Sequence, residues 1–303
     1  MFEKFIAAFL GAKLGKLAEF EPLAKHTTLR VGGPARVFVQ PNDKEALIET
    51  VKLARELDIS FKVIGKGSNL LISDKTFEGV VIQTDKGLTY TVISDNLVTV
   101  GAGVSDVKLS REVAKIGLAG LEFLSGVPGT IAGAVFMNAG AYNKELKDVL
   151  LRVQILDENN ELVWLEKSEL ELTYRTSIFQ KRLDWIILEA VLELTHGDKD
   201  EILETIKSRK EKRMISQPLE VPSAGSSFRN PEGYAAWKLI DDADLRGFKI
   251  GGAMVSTKHS NFIINAGGAI AQDVADVMMH VKKIVREKTG LEMHQEVEFF
   301  NWE

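Results

Sequence analysis

The chain has 303 residues, of which 45% are hydrophobic and 27% charged, with a formal net charge of -5 and no cysteine. Its length allows more than one core, and its acidic balance argues against a nucleic-acid or anionic-membrane surface as the main partner. Without cysteine there are no disulfides, thiolate chemistry or cysteine-ligated clusters, and the five scattered histidines show no metal-ligand spacing, so no metal is expected.

In chain order, Phe2, Phe5, Ile6, Phe9, Leu10, Leu14 and Leu17 recur at helical spacing and predict an amphipathic helix. Glu3, Lys13 and Lys16 spoil the apolar run between them as an export leader, and no stretch is long enough to span a bilayer. No membrane insertion and a cytoplasmic location are therefore expected. Residues 36–40 read as a strand closed by Pro41, and Asn42 or Asp43 is placed to cap a helix carrying Ala46, Leu47, Val51, Ala54 and Leu57. Short strands follow at 62–64, 70–72 and 80–82. Residues 90–93 and 97–100 predict a hairpin around Ser94-Asp95-Asn96. Ser105 is expected to cap a helix carrying Val107, Val113, Ala114 and Ile116 that ends at Gly117. Strands at 152–156, 163–165 and 186–194 precede a charged helix over 199–213. The tail adds a strand at 262–264, a helix through Val274, Val277, Met278, Val281, Ile284 and Val285, and a strand near 297–300. This irregular alternation indicates an α+β protein rather than a doubly wound parallel sheet, with breaks near 85 and 200.

Four segments carry candidate chemistry. In Gly65-Lys66-Gly67-Ser68-Asn69 the glycines let backbone amides approach a diphosphate, and Ser68 and Asn69 add donors. A Rossmann unit needs a third glycine and a helix opening in the loop, whereas an apolar run and Ser73-Asp74-Lys75 follow here. The loop is thus either a tight turn or a phosphate loop of another fold. The passage Ser125-Gly126-Val127-Pro128-Gly129-Thr130-Ile131-Ala132-Gly133-Ala134, continued by Asn138-Ala139-Gly140-Ala141-Tyr142, avoids bulky side chains, which permits close packing against backbone or a flat ring. Thr173-Tyr174-Arg175-Thr176-Ser177 places an arginine behind a strand. Pro222-Ser223-Ala224-Gly225-Ser226-Ser227-Phe228-Arg229-Asn230-Pro231 presents a hydroxyl at a defined point with a cation and an amide behind it. Glu296 stands alone near the end, and the cluster Lys207, Arg209, Lys210, Lys212 and Arg213 reads as a solvated helix face.

Taken in order, from His26-Thr27-Thr28-Leu29-Arg30-Val31-Gly32-Gly33-Pro34-Ala35 to residues 291–297, these segments resemble the UDP-N-acetylenolpyruvoylglucosamine reductase family. The resemblance covers nearly the whole chain. It implies a vanillyl-alcohol-oxidase-type FAD-binding fold in two α/β subdomains, here residues 1–85 and 86–200, plus a C-terminal α+β substrate domain at 201–303. It also implies an oxidoreductase that uses NADPH and non-covalent FAD to reduce UDP-N-acetylglucosamine enolpyruvate to UDP-N-acetylmuramate in peptidoglycan precursor synthesis. Gly65, Lys66, Gly67, Ser68, Asn69 and Leu70 resemble the loop around the FAD diphosphate. Ser125, Gly126, Pro128, Gly129, Thr130, Gly133, Asn138, Gly140 and Ala141 resemble the second flavin-contacting segment. Arg175, Ser226 and Glu296 fall on the family's catalytic positions, and Tyr174, Arg229 and Asn230 are expected to bind substrate. Lys238 and Lys258 lie in matching segments without an assigned role.

The link at 195–198 lacks the tyrosine-bearing insertion of the longer class in that family, so the chain resembles the shorter class. Met214 stands near the position of a substrate-contacting lysine of the longer class. Two other readings use the same motifs. An oxidase of the same FAD-binding fold would be marked by rapid flavin oxidation by oxygen. A non-catalytic nucleotide-sugar-binding protein would take up no FAD.

Overall fold

Phe5 and Phe9, four residues apart, stack on one side of the first helix (α1, Phe2–Gly11) in the computed structural model, which describes residues 1–302. The helix ends sooner than its apolar spacing suggests. Lys13 takes a left-handed backbone (φ 55°), so Leu14 and Leu17 reach the same core from a turn and a strand (β1, Gly15–Pro22). Strand β2 (Pro34–Pro41) leads to helix α2 (Lys44–Glu56), whose N-terminus is capped by Asp43 accepting the Ala46 N–H at 2.8 Å. Strands β3 (Phe61–Ile64), β4 (Leu70–Ile72) and β5 (Phe77–Gln83) follow; β3 lies parallel to β5 in a four-stranded sheet ordered β1-β2-β5-β3.

The predicted hairpin forms from β6 (Thr91–Ser94) and β7 (Leu97–Gly101). After helix α3 (Asp106–Ala114) and the short helix α4 (Ile131–Phe136), strands β8 (Leu150–Leu156), β9 (Leu162–Glu166) and β10 (Ile186–Glu193) complete an antiparallel sheet ordered β9-β8-β10-β7-β6. Both faces of β10 are buried, and a bulge distributes its side chains between them. Ile155 faces Ile187 across the pair but Gln154 faces Glu189, leaving Leu188 as an extra residue that inverts the alternation. Ile186 and Leu188 therefore join the core of α1, α2 and the four-stranded sheet, while Ile187, Ala190 and Leu192 join the core under α3 and α4. Arg55 reinforces that join by donating to the Asp157 and Asp184 carbonyls and to the Asn160 side chain.

These elements make up most of one of two compact units, formed by residues 1–19, 37–66 and 78–211. The link that lacks the insertion is spent on pairing. Thr195-His196 pairs with Leu118-Ala119, and Asp198 accepts the Asp200 and Glu201 N–H groups to start α5 (Lys199–Ser216).

Residues 20–36, 67–77 and the chain from Lys212 onward make the second unit. Its core lies between α6 (Ala236–Asp242), a three-stranded sheet of β11 (Lys249–Ile250), β12 (Ala253–Val255) and β13 (Ile263–Asn265), and the long helix α7 (Ala271–Thr289). The stripe Val274, Val277, Met278, Val281 and Val285 faces that core, as the spacing predicts. Strand β14 (Glu298–Phe300) then runs parallel beside β4, with Glu298 opposite Leu70. The architecture is α+β, and among the described residues no helix is long and apolar enough to cross a membrane.

Asp74, just beyond β4, caps α7 from nearly two hundred residues away: its two oxygens accept the Ala271 and Gln272 N–H groups at 2.9 and 3.0 Å. Replacing Asp74 with Ala leaves two donors at a helix start without that acceptor. Chemical denaturation should show a loss of about 1 kcal/mol, and an unchanged midpoint would contradict this role.

Candidate active site

In the first unit the glycine loop begins against Thr130. A side chain at Gly65 would place its Cβ 2.3 Å from Thr130 Oγ1, so only glycine allows this approach. Thr130 is itself held in an antiparallel run, with a Ser105–Thr130 bridge, Asp106 N–H donating to Gly129 C=O and Ile131 N–H to Val104 C=O. Beyond it Gly133 is exposed, and a Cβ there would meet only Thr130 Oγ1, at 3.7 Å. The small residues thus produce both effects available to them: tight backbone packing on one side and an open shelf on the other. Ser125 is buried and donates to Glu122 C=O at 2.8 Å, which fixes the turn ahead of the shelf.

Ser105 occupies the N-cap position of α3 but makes no side-chain cap bond, contrary to the expectation from sequence. Its hydroxyl instead accepts from Lys66 Nζ at 2.6 Å. The neighbouring Asp106 is 1% exposed, and neither carboxyl oxygen meets a protein donor among the described residues. Burial pushes the Asp106 carboxyl up to about 8, with Lys66 pulling weakly the other way. A cation fixed on the glycine loop and the open space beside Gly133 fit the diphosphate and ring system of a flavin dinucleotide. Neither Ser105 nor Asp106 carried a functional signal in the sequence.

Arg175 sits at the tip of a two-residue turn closed by reciprocal bonds between Thr173 and Thr176, both at 3.1 Å. Its backbone is left-handed (φ 55°), its guanidinium donates to Gly140 C=O at 2.7 Å and lies 5.0 Å from the Tyr174 ring. Asn138 holds this turn. Fully buried, it donates to Thr173 C=O at 2.8 Å and accepts the Lys147 N–H at 3.0 Å. The structure therefore brings together the arginine turn and the Asn138–Gly140 segment.

In the second unit the remainder of the glycine loop meets the end of the chain. Asn69 donates through its side chain to Glu296 C=O at 3.0 Å and accepts the Glu298 N–H at 2.9 Å. Glu296 in turn pairs with the serine segment: its N–H donates to Ser227 C=O at 2.9 Å, and Arg229 N–H donates to His294 C=O at 2.8 Å. Arg229 Nε lies 3.6 Å from Glu296 Oε2, with both side chains mostly buried. Gly67, Asn69, Ser226, Arg229 and Glu296 are thus parts of this unit, whereas Gly65, Lys66, the shelf and Arg175 belong to the first. Asn230 accepts the Ala236 N–H at 3.0 Å and so starts α6. Lys238 pairs with Asp242 on an exposed helix face, and Lys258 donates to Met214 C=O at 2.8 Å.

Comparison with known proteins gives two family matches. The model described as UDP-N-acetylenolpyruvoylglucosamine reductase, C-terminal domain, matches residues 217–300, and one described as FAD binding domain matches residues 35–166. The chain is similar to the UDP-N-acetylenolpyruvoylglucosamine reductase of Bacillus subtilis (strain 168), at 44% identity over 98% of each chain. It is 42% identical to the protein of that name from Bacillus pumilus (strain SAFR-032), over 97% of each chain. Among solved structures it resembles the crystal structure of UDP-N-acetylenolpyruvylglucosamine reductase from Thermus caldophilus, with a TM-score of 0.79 and 33% identity over 94% of this chain and 98% of that one.

The buried carboxyl of Asp106 makes a pH-dependent prediction. Between the ordinary carboxylate value of 3.8 and about 8, the folded chain keeps a proton that the unfolded chain has released. Stability is therefore lost as pH rises through that window, by at most about 1.4 kcal/mol per pH unit, and is level above it. Asp106→Asn removes this dependence. Denaturation from pH 4 to 9 should show the variant gaining on the parent up to about pH 8 and then holding a constant lead; parallel curves would contradict the buried neutral acid.

Proposed function

The chain belongs to the UDP-N-acetylenolpyruvoylglucosamine reductase family, and from that premise we propose which of its own residues carry the reaction. The protein is a FAD-dependent, NADPH-driven oxidoreductase that reduces UDP-N-acetylglucosamine enolpyruvate to UDP-N-acetylmuramate, a step of peptidoglycan precursor synthesis. Its fold is the vanillyl-alcohol-oxidase-type FAD-binding fold with a C-terminal α+β domain. Residues 1–85 and 86–200 are assigned to FAD and 201–303 to substrate. Separate cores on the two faces of the five-stranded sheet support the first pair, and the compact core around α6 and α7 supports the third.

Bound FAD, once reduced by NADPH, supplies the hydride that adds to the terminal methylene carbon of the enolpyruvyl ether. The protein's residues manage the charge and the proton that this leaves. Lys66, with its ammonium directed by Ser105, meets the cofactor diphosphate. Arg175 pairs with the substrate carboxylate and stabilises the negative charge that spreads over it and the adjacent carbon. Its turn supports that role, since closure by Thr173 and Thr176 and the bond from Asn138 fix the backbone, and the bond to Gly140 C=O holds the guanidinium. Glu296, beside Arg229, is assigned with it to the substrate. Ser226 gives its proton to the adjacent carbon. A serine hydroxyl is a weak acid, adequate here because the carbon it protonates is carbanion-like and strongly basic.

The single observation that carries the Ser226 assignment is its setting. It lies in a short loop with Gly225 at φ 78°, followed at once by three residues whose backbone is paired. The finer statements of setting are part of the same proposal: a cytoplasmic protein with NADPH and the nucleotide sugar as partners and no nucleic acid. The net charge of -5 supports the last of these.

The test separates the two half-reactions. In anaerobic spectra of Ser226→Ala, bleaching of the bound flavin by NADPH should proceed at the parent rate. Return of the colour on adding UDP-N-acetylglucosamine enolpyruvate should slow by at least about 10²-fold. Equal loss of both would remove Ser226 from proton transfer.

A further inference from the structure

Asn261 lies between β12 and β13 and is 5% exposed. Its backbone C=O accepts the Ser227 N–H at 2.8 Å and its own N–H donates to His259 Nδ1 at 3.3 Å. Its carboxamide makes two further bonds to one residue. Oδ1 accepts the Phe228 N–H at 3.0 Å, and Nδ2 donates to the Phe228 C=O at 2.9 Å. Phe228 is buried at 2% exposure, so no solvent replaces those bonds, and the side chain does for Phe228 what a neighbouring strand would do.

The position of this clamp matters more than its strength. Ser223 pairs with Ile264, and four residues later Ser227 pairs with Asn261, only three residues back on the opposite strand. The serine segment therefore holds one residue more than its partner, and Gly225 in the left-handed region takes it up. Such a bulge decides which side chain is presented at its end. Ser226 follows the bulge directly, and Ser227 comes next with its Oγ accepting the Ile263 N–H at 3.1 Å. A slip of one residue would exchange the two serines.

We infer that Asn261 is a positioning residue for the reduction: its carboxamide pins Phe228, locks the register of the bulge and so makes Ser226, rather than Ser227, the serine that is presented. The inference rests on the assignment of Ser226 as proton donor. It adds a residue that touches neither substrate nor cofactor and acts through the backbone of its neighbour across the pair. A buried carboxamide suits this task because it offers an acceptor and a donor in one plane, as a peptide group does.

The experiment uses the flavin-loaded protein and anaerobic stopped-flow absorbance, following reduction by NADPH and reoxidation by UDP-N-acetylglucosamine enolpyruvate separately. The variants are Ser226→Ala, Asn261→Ala, the double variant and Asn261→Asp. Asn261→Ala should slow reoxidation by about 10²-fold, the size of effect a displaced reacting group produces, with NADPH reduction unchanged. The double variant should be no slower than Ser226→Ala, because Asn261 acts only through that hydroxyl. In Asn261→Asp a protonated carboxyl again offers one acceptor and one donor to Phe228, whereas the ionised form offers none to the C=O. Reoxidation by this variant should therefore approach the parent rate at low pH and fall as pH rises through the titration of the new carboxyl. The ionisable groups around it, His259 with Asp241, Arg246 and Arg213 nearby, are common to all the proteins and cancel in the comparison.

Parent-like reoxidation in Asn261→Ala, equal slowing of both half-reactions, or a double variant slower than Ser226→Ala would each overturn the inference. If Asn261→Ala does not fold, the pH profile of Asn261→Asp decides, and a profile parallel to the parent's overturns it. If Ser226→Ala itself reoxidises normally, the catalytic assignment fails first. If only the Asn261 variants behave normally, that assignment stands without this inference.

Discussion

The second unit depends on backbone pairing along both edges of Ser227–Arg229. On one edge stands Asn261, with its backbone and carboxamide; on the other stand His294 and Glu296, bonded at 2.8 and 2.9 Å. Glu296 is held from its far side by Asn69, which also receives the Glu298 N–H and so starts the parallel pairing of β14 with β4. One run of hydrogen bonds thereby links the end of the glycine loop, Glu296 and the serine segment. Four sequence-distant pieces are ordered together, and a serine hydroxyl held by such a run loses little freedom when substrate binds.

Arg175 in the first unit shows the same solution in another form. An arginine at φ 55° costs about 1 kcal/mol or more relative to an ordinary backbone conformation. That strain persists because Thr173 and Thr176 close the turn, Gln180 donates to Arg175 C=O at 3.0 Å and the buried Asn138 donates to Thr173 C=O. In both units a buried asparagine completes the backbone pairing of a segment that carries a proposed catalytic residue. The cofactor side follows a different rule: there side chains are withheld, at Gly65 for close packing and at Gly133 for open space.

The sequence is most legible where one local rule governs. The Asp43 cap and the apolar stripe define α2, the turn residues define the β6–β7 hairpin, and the heptad-like stripe defines α7. It misleads where two rules compete. Leu14 and Leu17 continue a helical spacing beyond α1 but belong to a turn and a strand, because Lys13 reverses the chain and the same core accepts them from there. Ser105 has the right type and place for a cap, yet its hydroxyl serves Lys66. The helix α6 and the strands β11 and β12 are too short for any periodicity to announce them. The proposed site residues are singled out by resemblance rather than by pattern. An isolated arginine, serine or glutamate is ordinary, and only their order along the chain singles them out. Asn261 escaped because its significance is set by Phe228, 33 residues away, and Asp106 because burial leaves no mark on the residue type.

The double-edged pairing is measured most directly by amide hydrogen exchange at residue resolution. The Phe228, Arg229 and Glu296 N–H groups should exchange among the slowest in the second unit, with protection close to that of β13 and α7, while Gly225 exchanges rapidly. Fast exchange at Phe228 and Glu296, with β13 and α7 still protected, would contradict a serine held from both sides.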